Sequence, residues 1–182
     1  RLKAIWDNQL SILDLYAESQ LVNTKNMILA GKYDVANDKL NFNVEVNRFP
    51  FAMVTPFVNE YISDIDGKIS GNIQIKGTSK EPNLQAKLKF IRAGFKVNYL
   101  QTFYSFTDSL FIENNSIRID KLQLNAGRNS FAWLNGKITH KNFEEIKLDI
   151  SLDAHNFLFL KTEQTDSSYF YGTVYASGGI NL

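Results

Sequence analysis

The chain has no cysteine, only three prolines, and two histidines in 182 residues. Without cysteine there is no disulfide framework and no thiolate metal site, and an oxidising compartment is permitted but not indicated. Charge of one sign is also missing. Twenty Lys and Arg against nineteen Asp and Glu leave a net charge of +1. That balance argues against nucleic acid as a main partner, because a phosphate-binding surface shows as a basic excess. No run of about twenty apolar residues is present, so no helix here spans a bilayer. The chain opens on Arg1-Leu2-Lys3 with no signal-peptide pattern and closes in the strand-like Gly179-Ile180-Asn181-Leu182. Both ends read as cut. The chain is expected to be one β-rich segment, 1–182, of a larger protein whose anchor or targeting signal lies outside it.

Catalytic motifs are lacking as well. There is no G-x-S-x-G, no Walker loop and no dinucleotide fingerprint. His140 and His155 stand outside any metal-ligand spacing and read as exposed or hydrogen-bonded residues. Asp64-Ile65-Asp66-Gly67 opens like a calcium loop but lacks the later ligands, so a helix-to-strand turn is the better reading. Glu144-Glu145 and the Glu60/Asp64 pair have nothing nucleophilic or cationic around them and read as solvated. Asn114-Asn115-Ser116 matches a glycosylation sequon, which carries weight only in a eukaryotic secretory source. No metal, no cofactor and no enzymatic activity are expected.

What is present is alternation. The chain is rich in Phe (fourteen) and Tyr (eight), a β-type composition. In Asp66–Phe90, Ile69, Gly71, Ile73 and Ile75 share one parity against Lys68, Ser70, Asn72, Gln74 and Lys76. Turn chemistry comes next at Gly77–Asn83, and Leu84, Ala86, Leu88 and Phe90 resume the alternation. Lys39–Phe49 is an equally clear strand, with Leu40, Phe42, Val44 and Val46 facing one way. Between these, Val54, Phe57, Val58, Tyr61, Ile62 and Ile65 recur three and four apart. That spacing predicts a short helix over about 55–64, with Thr55 as N-cap and Pro56 at the first helical position, plugging one end of the apolar face.

The remainder reads as further strands. Residues 1–22 suggest one or two, with a turn at Asp7-Asn8. Asn23–Asn26 reads as turn-like, Met27–Tyr33 as a short strand and Asn37-Asp38 as a turn. Phe95 and Val97 alternate after Ala93-Gly94. Phe103–Phe111 is broken at Thr107-Asp108-Ser109, and Glu113–Asn115 and Ala126–Ser130 are turns. Ile117 and Ile119 fall out of phase with Leu122 and Leu124 across Asp120-Lys121, which marks a bulge or bend. Ala132–Ile138 is a strand, His140–Glu145 a break, Ile146–Ala154 a long strand and Phe157–Leu160 a short buried one. Thr162–Ser168 is a loop and Phe170–Leu182 the last strand. The aromatics Tyr169, Phe170, Tyr171 and Tyr175 serve either as cross-strand packing, the favoured reading, or as a carbohydrate-stacking platform. The sum is about a dozen strands and one short helix.

The order of Gly67–Thr78, Pro82 and Leu84–Phe90, preceded by the helical piece Phe51–Ile65, resembles the TamB/AsmA-like family of Gram-negative envelope proteins. Leu134–His140 with Phe143 beyond it, and Phe170–Gly178, resemble segments of the C-terminal region of TamB-type members. The likeness runs from about Lys39 to the end. It implies a mainly β fold: a long curved antiparallel sheet, a β-taco or half-pipe, with an apolar inner groove. It also implies a periplasmic location, with the full-length protein anchored in the inner membrane. The groove would carry phospholipid acyl chains between inner and outer membranes, through Phe42, Val44, Ile73, Ile75, Leu84, Leu88, Leu148, Ile150, Leu152 and Val174. Two alternatives stay open. One is a scaffold for assembly of an outer-membrane β-barrel protein or for secretion, offering an edge strand such as Tyr171–Leu182. The other is a closed β-sandwich of structural role, because alternation alone does not distinguish a filled core from an open groove.

Overall fold

In the structure, a computed structural model, residues 1–21, 24–141, 144–163 and 171–181 are described. They form one antiparallel sheet of twelve strands. The strands are β1 Leu2–Asp7, β2 Ile12–Leu21, β3 Thr24–Asp34, β4 Lys39–Pro50, β5 Ile62–Gly77 and β6 Pro82–Val97, then β7 Thr102–Phe106, β8 Ser109–Glu113, β9 Ser116–Gly127, β10 Ser130–Lys141, β11 Glu144–Thr162 and β12 Gly172–Asn181. Spatial order matches chain order, except that β7 and β8 share the space between β6 and β9. β7 pairs with the C-terminal half of β6 and β8 with its N-terminal half. The mainly β architecture, the single long antiparallel sheet and the short helix are as the alternation and the resemblance implied.

The strands are long because bulges let them continue where a straight ladder would lose register. Arg48 in β4, Arg92 in β6, Lys121 in β9 and Asn156 in β11 all have φ near +50°. Register shifts accompany them at Val46/Phe49, Asp66/Lys68, Leu134/Gly136 and Ala154/Phe157. Each extra residue leaves one backbone N–H without a ladder acceptor. In every case a polar side chain from the next strand, or from the residue just after it, accepts that hydrogen bond. Ser70 Oγ accepts from Arg48, Thr107 Oγ1 from Arg92, Asn135 Oδ1 from Lys121 and Ser177 Oγ from Asn156, at 2.8, 3.0, 2.8 and 2.9 Å. These four strands run in the same direction, two places apart in the sheet. The bulge expected across Asp120-Lys121 is one of them.

The core occupies one face. Val44, Val46, Ile69, Leu88, Phe90, Ile119, Leu122, Leu124, Ile150 and Leu152 are all buried in a single cluster. β11 extends past the β9–β10 turn and closes on β7. Tyr104 Oη donates to the carbonyls of Leu158 and Phe159, each at 3.1 Å, and Lys161 N donates to Leu100 O at 3.2 Å. Phe157, 2% exposed, stacks on Tyr104 at 5.2 Å between ring centroids and meets Phe159 edge-on at 5.0 Å. Phe90 adds contacts to Phe51 and Phe106 at 5.1 and 5.2 Å.

Several local expectations are corrected. The helix covers only Thr55–Val58, after a 3-10 turn at Phe51–Val54. Thr55 is not its N-cap; the hydroxyl donates back to Ala52 O. None of the helix is buried, and Phe57 is 66% exposed, so it does not plug the apolar face; Phe51 of the preceding turn reaches Phe90 instead. Ile62 and Ile65 belong to β5, where Asp64 sits at φ 51° beside a register shift. A strand with an extra residue spaces its apolar side chains by three, which mimics a helix. The Glu60/Asp64 pair is therefore not a helical pair. Thr24–Asn26 belong to β3 rather than to a turn, and His140 lies within β10 rather than in a break. Phe95 and Val97 continue β6, and Phe157–Leu160 continue β11, each past its bulge. Phe143, Tyr169, Phe170 and most of the expected Thr162–Ser168 loop lie outside the described residues, as does the side chain of Glu144.

Candidate functional site

The register puts side chains of one face into rows that cross the sheet, because residues directly opposite share a face. One row runs Leu2–Ala17–Leu29–Val44–Ile73–Ala86–Ile112–Ile117–Ile138–Leu148, taking one residue from each of β1–β6 and β8–β11. Every member is aliphatic. Beside it runs Ala4–Leu15–Gly31–Phe42–Ile75–Leu84. On its other side runs Met27–Val46–Gly71–Leu88–Leu110. At about 4.8 Å per strand the first row is roughly 43 Å long.

Gly31 lies directly across from Phe42. A Cβ there would stand 2.5 Å from the Phe42 ring and 2.3 Å from Asn41 O. Only glycine lets the ring lie over the strand at that point.

Of the ten expected apolar positions, eight lie in these rows or their continuation, and Leu152 lies one pair beyond them on the same face. Phe42, Ile75 and Leu84 are direct neighbours, as are Val44 and Ile73. Leu148 ends the first row opposite Ile138, while Ile150 pairs with Gly136 and Leu152 with Leu134. Val174 stands apart, beyond two register shifts and opposite Leu160. Burial divides the set. Val44, Leu88, Ile150 and Leu152 are core residues, whereas Phe42, Ile73, Ile75 and Leu84 are half-buried. Leu148 and Val174 are 50% and 47% exposed. The apolar face is thus filled in its middle and open toward β1 and along part of β11, where Leu2 is also exposed.

The ten candidate positions left out the aromatic part of this face: Phe90, read on the apolar parity of β6, and Phe157 and Phe159, read in a short buried strand, join Phe95, Tyr104 and Phe106, whose place in the core the sequence reading missed. Burial pushes the Tyr104 phenol up to about 12. A parity flip just before Phe157 was the available signal, since Ile150, Leu152 and Ala154 are even-numbered and Phe157 is odd.

The polar face carries Lys87, Arg118 and His155. Lys87 and Arg118 flank the Phe111 ring at 5.2 and 4.8 Å from its centroid. His140 shares the parity of Ile138 in β10, at the end of the apolar face, and burial lowers its basicity below its ordinary value. His155 stacks on Phe131 at 5.1 Å. Asp66, taken from the calcium-like run, accepts from the Gly67 N–H within β5. Among the described residues no group of three or more His, Asp or Glu is placed to hold a metal ion. Tyr171 and Tyr175 are exposed, and their companions Tyr169 and Phe170 are outside the described residues. No family model, curated protein or solved structure matches this chain.

Proposed function

We propose that this chain is a lipid-carrying segment whose apolar face receives phospholipid acyl chains, in the manner of the TamB/AsmA-like envelope proteins it resembles. The observation that carries the reading is the aliphatic row from Leu2 to Leu148. It crosses ten strands without a polar side chain, and its ends are exposed. Its length of roughly 43 Å exceeds the ~30 Å hydrocarbon core of a bilayer, so it accommodates acyl chains end to end. Such a surface gains about 0.8 kcal/mol per buried methylene and selects for apolar chains rather than for a headgroup. On this proposal the segment works in the periplasm, between an inner-membrane anchor outside the chain and the outer membrane.

The second reading is a closed core of structural role. The Tyr104–Phe157 contact between β7 and β11 favours it, because there the protein fills its own apolar face. Organic extraction and mass spectrometry of the purified, detergent-free protein after incubation with phospholipid vesicles separates the two. Stoichiometric phospholipid, lost in a folded Ile75→Asp variant, supports the conduit. Ile75 is the better probe because Ile150 is buried at 7% exposure and its Asp variant would report unfolding. A folded protein free of lipid supports the closed core.

A further inference from the structure

The opposite, polar face of β9–β11 holds an exposed aromatic residue. Trp133 is 42% exposed there. It lies directly between Gln123 of β9 and Asp153 of β11 in the register. One pair further along the same face, Phe131 lies between Asn125 and His155, and its ring stacks on the imidazole at 5.1 Å with 29° between the planes. The amides are held in place: Gln123 Nε2 donates to Asn125 Oδ1 at 3.2 Å, and Asn125 Nδ2 donates to Ser105 O at 3.3 Å. Next to this pair is an open depression lined by Arg92, Ser105, Phe106, Thr107, Gln123 and Asn125.

We propose that this face is a glycan-binding platform, with Trp133 as the stacking residue. The chemistry fits a flat, β-linked oligosaccharide. The axial C–H groups of an all-equatorial pyranose are weakly positive and pack against the negative face of an aromatic ring. The sugar hydroxyls both donate and accept hydrogen bonds. Gln123, Asn125 and Arg92 supply donors, and the Gln123 carbonyl oxygen and the Asp153 carboxylate supply acceptors. A few fixed polar groups beside an aromatic surface orient a ligand without demanding charge, and Asp153, His155 and Arg92 give the platform no excess of one sign. The indole stands exposed on a strand face, which suits a chain of sugars lying across the strands. The platform is on the far side of the sheet from the apolar rows, so it stands or falls independently of lipid carriage.

The chain has two tryptophans, so Trp6→Phe leaves Trp133 as the sole indole reporter. This variant is titrated with cellotriose and with triacetylchitotriose, monitoring Trp133 emission and the amide and indole shifts in two-dimensional NMR. The expected result is a saturable change at millimolar sugar, with perturbed shifts at Gln123, Trp133, Asp153 and His155 and quiet ones at Ile138 and Leu148. In the full chain, Trp133→Ala weakens binding about tenfold or more, on the scale of aromatic stacking, and Gln123→Ala weakens it with the indole intact. Failure of both sugars to give a saturable change overturns the proposal. So do shifts confined to the apolar face, or unchanged affinity in a folded Trp133→Ala protein.

Discussion

Replacing Phe157 by alanine separates the filled part of the apolar face from the open part. The ring is 2% exposed, stacked on Tyr104 at 5.2 Å and edge-on to Phe159 at 5.0 Å. Its removal leaves a cavity that the hydrogen-bonded β7–β11 contact prevents from collapsing. A buried Phe→Ala change of this kind costs about 3–5 kcal/mol. In a chain of this size each kcal/mol lowers Tm by roughly 2–4 °C, so the Tm of Phe157→Ala is expected to fall by roughly 6–20 °C. Leu148→Ala is the control on the same face. Leu148 is 50% exposed, so its loss encloses no cavity and removes about half the side chain's transfer energy, which places the cost near or below ~1 kcal/mol. Both variants are measured by calorimetry or by circular dichroism on heating. Equal and small shifts would refute the filled seam, and equal and large shifts would refute the open row.

Other consequences rest on single atoms. Tyr104→Phe removes the hydroxyl that donates to Leu158 O and Phe159 O and is expected to cost about 0.5–1.5 kcal/mol by denaturant titration. Burial pushes the wild-type phenol up to about 12, against ~10 in an unfolded chain. Folding favours its neutral form, so this contribution is complete below pH 10 and is lost as pH rises from 10 to 12. Stability of Tyr104→Phe therefore falls less steeply than wild type across that window, and parallel alkaline unfolding curves would exclude the effect. Gly136 has φ 141°, and a Cβ there would stand 2.1 Å from Asp149 O. Gly136→Ala is expected to destabilise by more than about 1 kcal/mol, and a neutral result in the same titration would show that β10 and β11 are free to shift apart.

How much of this was legible depended on where the strands break parity. β4, and β5 and β6 around their shared turn, were readable because Val44, Ile73 and Leu88 alternate without interruption. The Lys121 bulge was readable because two short apolar pairs lie close on either side of it. At Arg92 and Asn156 the same device was hidden. The segment past each bulge has the pattern of a separate strand, so alternation alone splits β6 and β11 into two strands each. The seam between β7 and β11 had no local signature. Tyr104 and Leu158 are 54 residues apart, and only the overhang of β11 past the β9–β10 turn brings them together. The apolar candidates were found by parity, but parity alone did not distinguish Ile150, in the core, from Leu148, half in solvent.

If acyl chains lie along the apolar face, the parity of β5 decides which side chains touch them. A photo-crosslinking amino acid is placed in turn at Asn72, Ile73, Gln74 and Ile75 of β5, and each protein is irradiated with phospholipid vesicles. Ile73 and Ile75 lie in the apolar rows, while Asn72 and Gln74 are on the other face. Lipid adducts are expected at 73 and 75 and none at 72 and 74. Adducts at all four positions, or at none, would contradict acyl-chain binding along the apolar face.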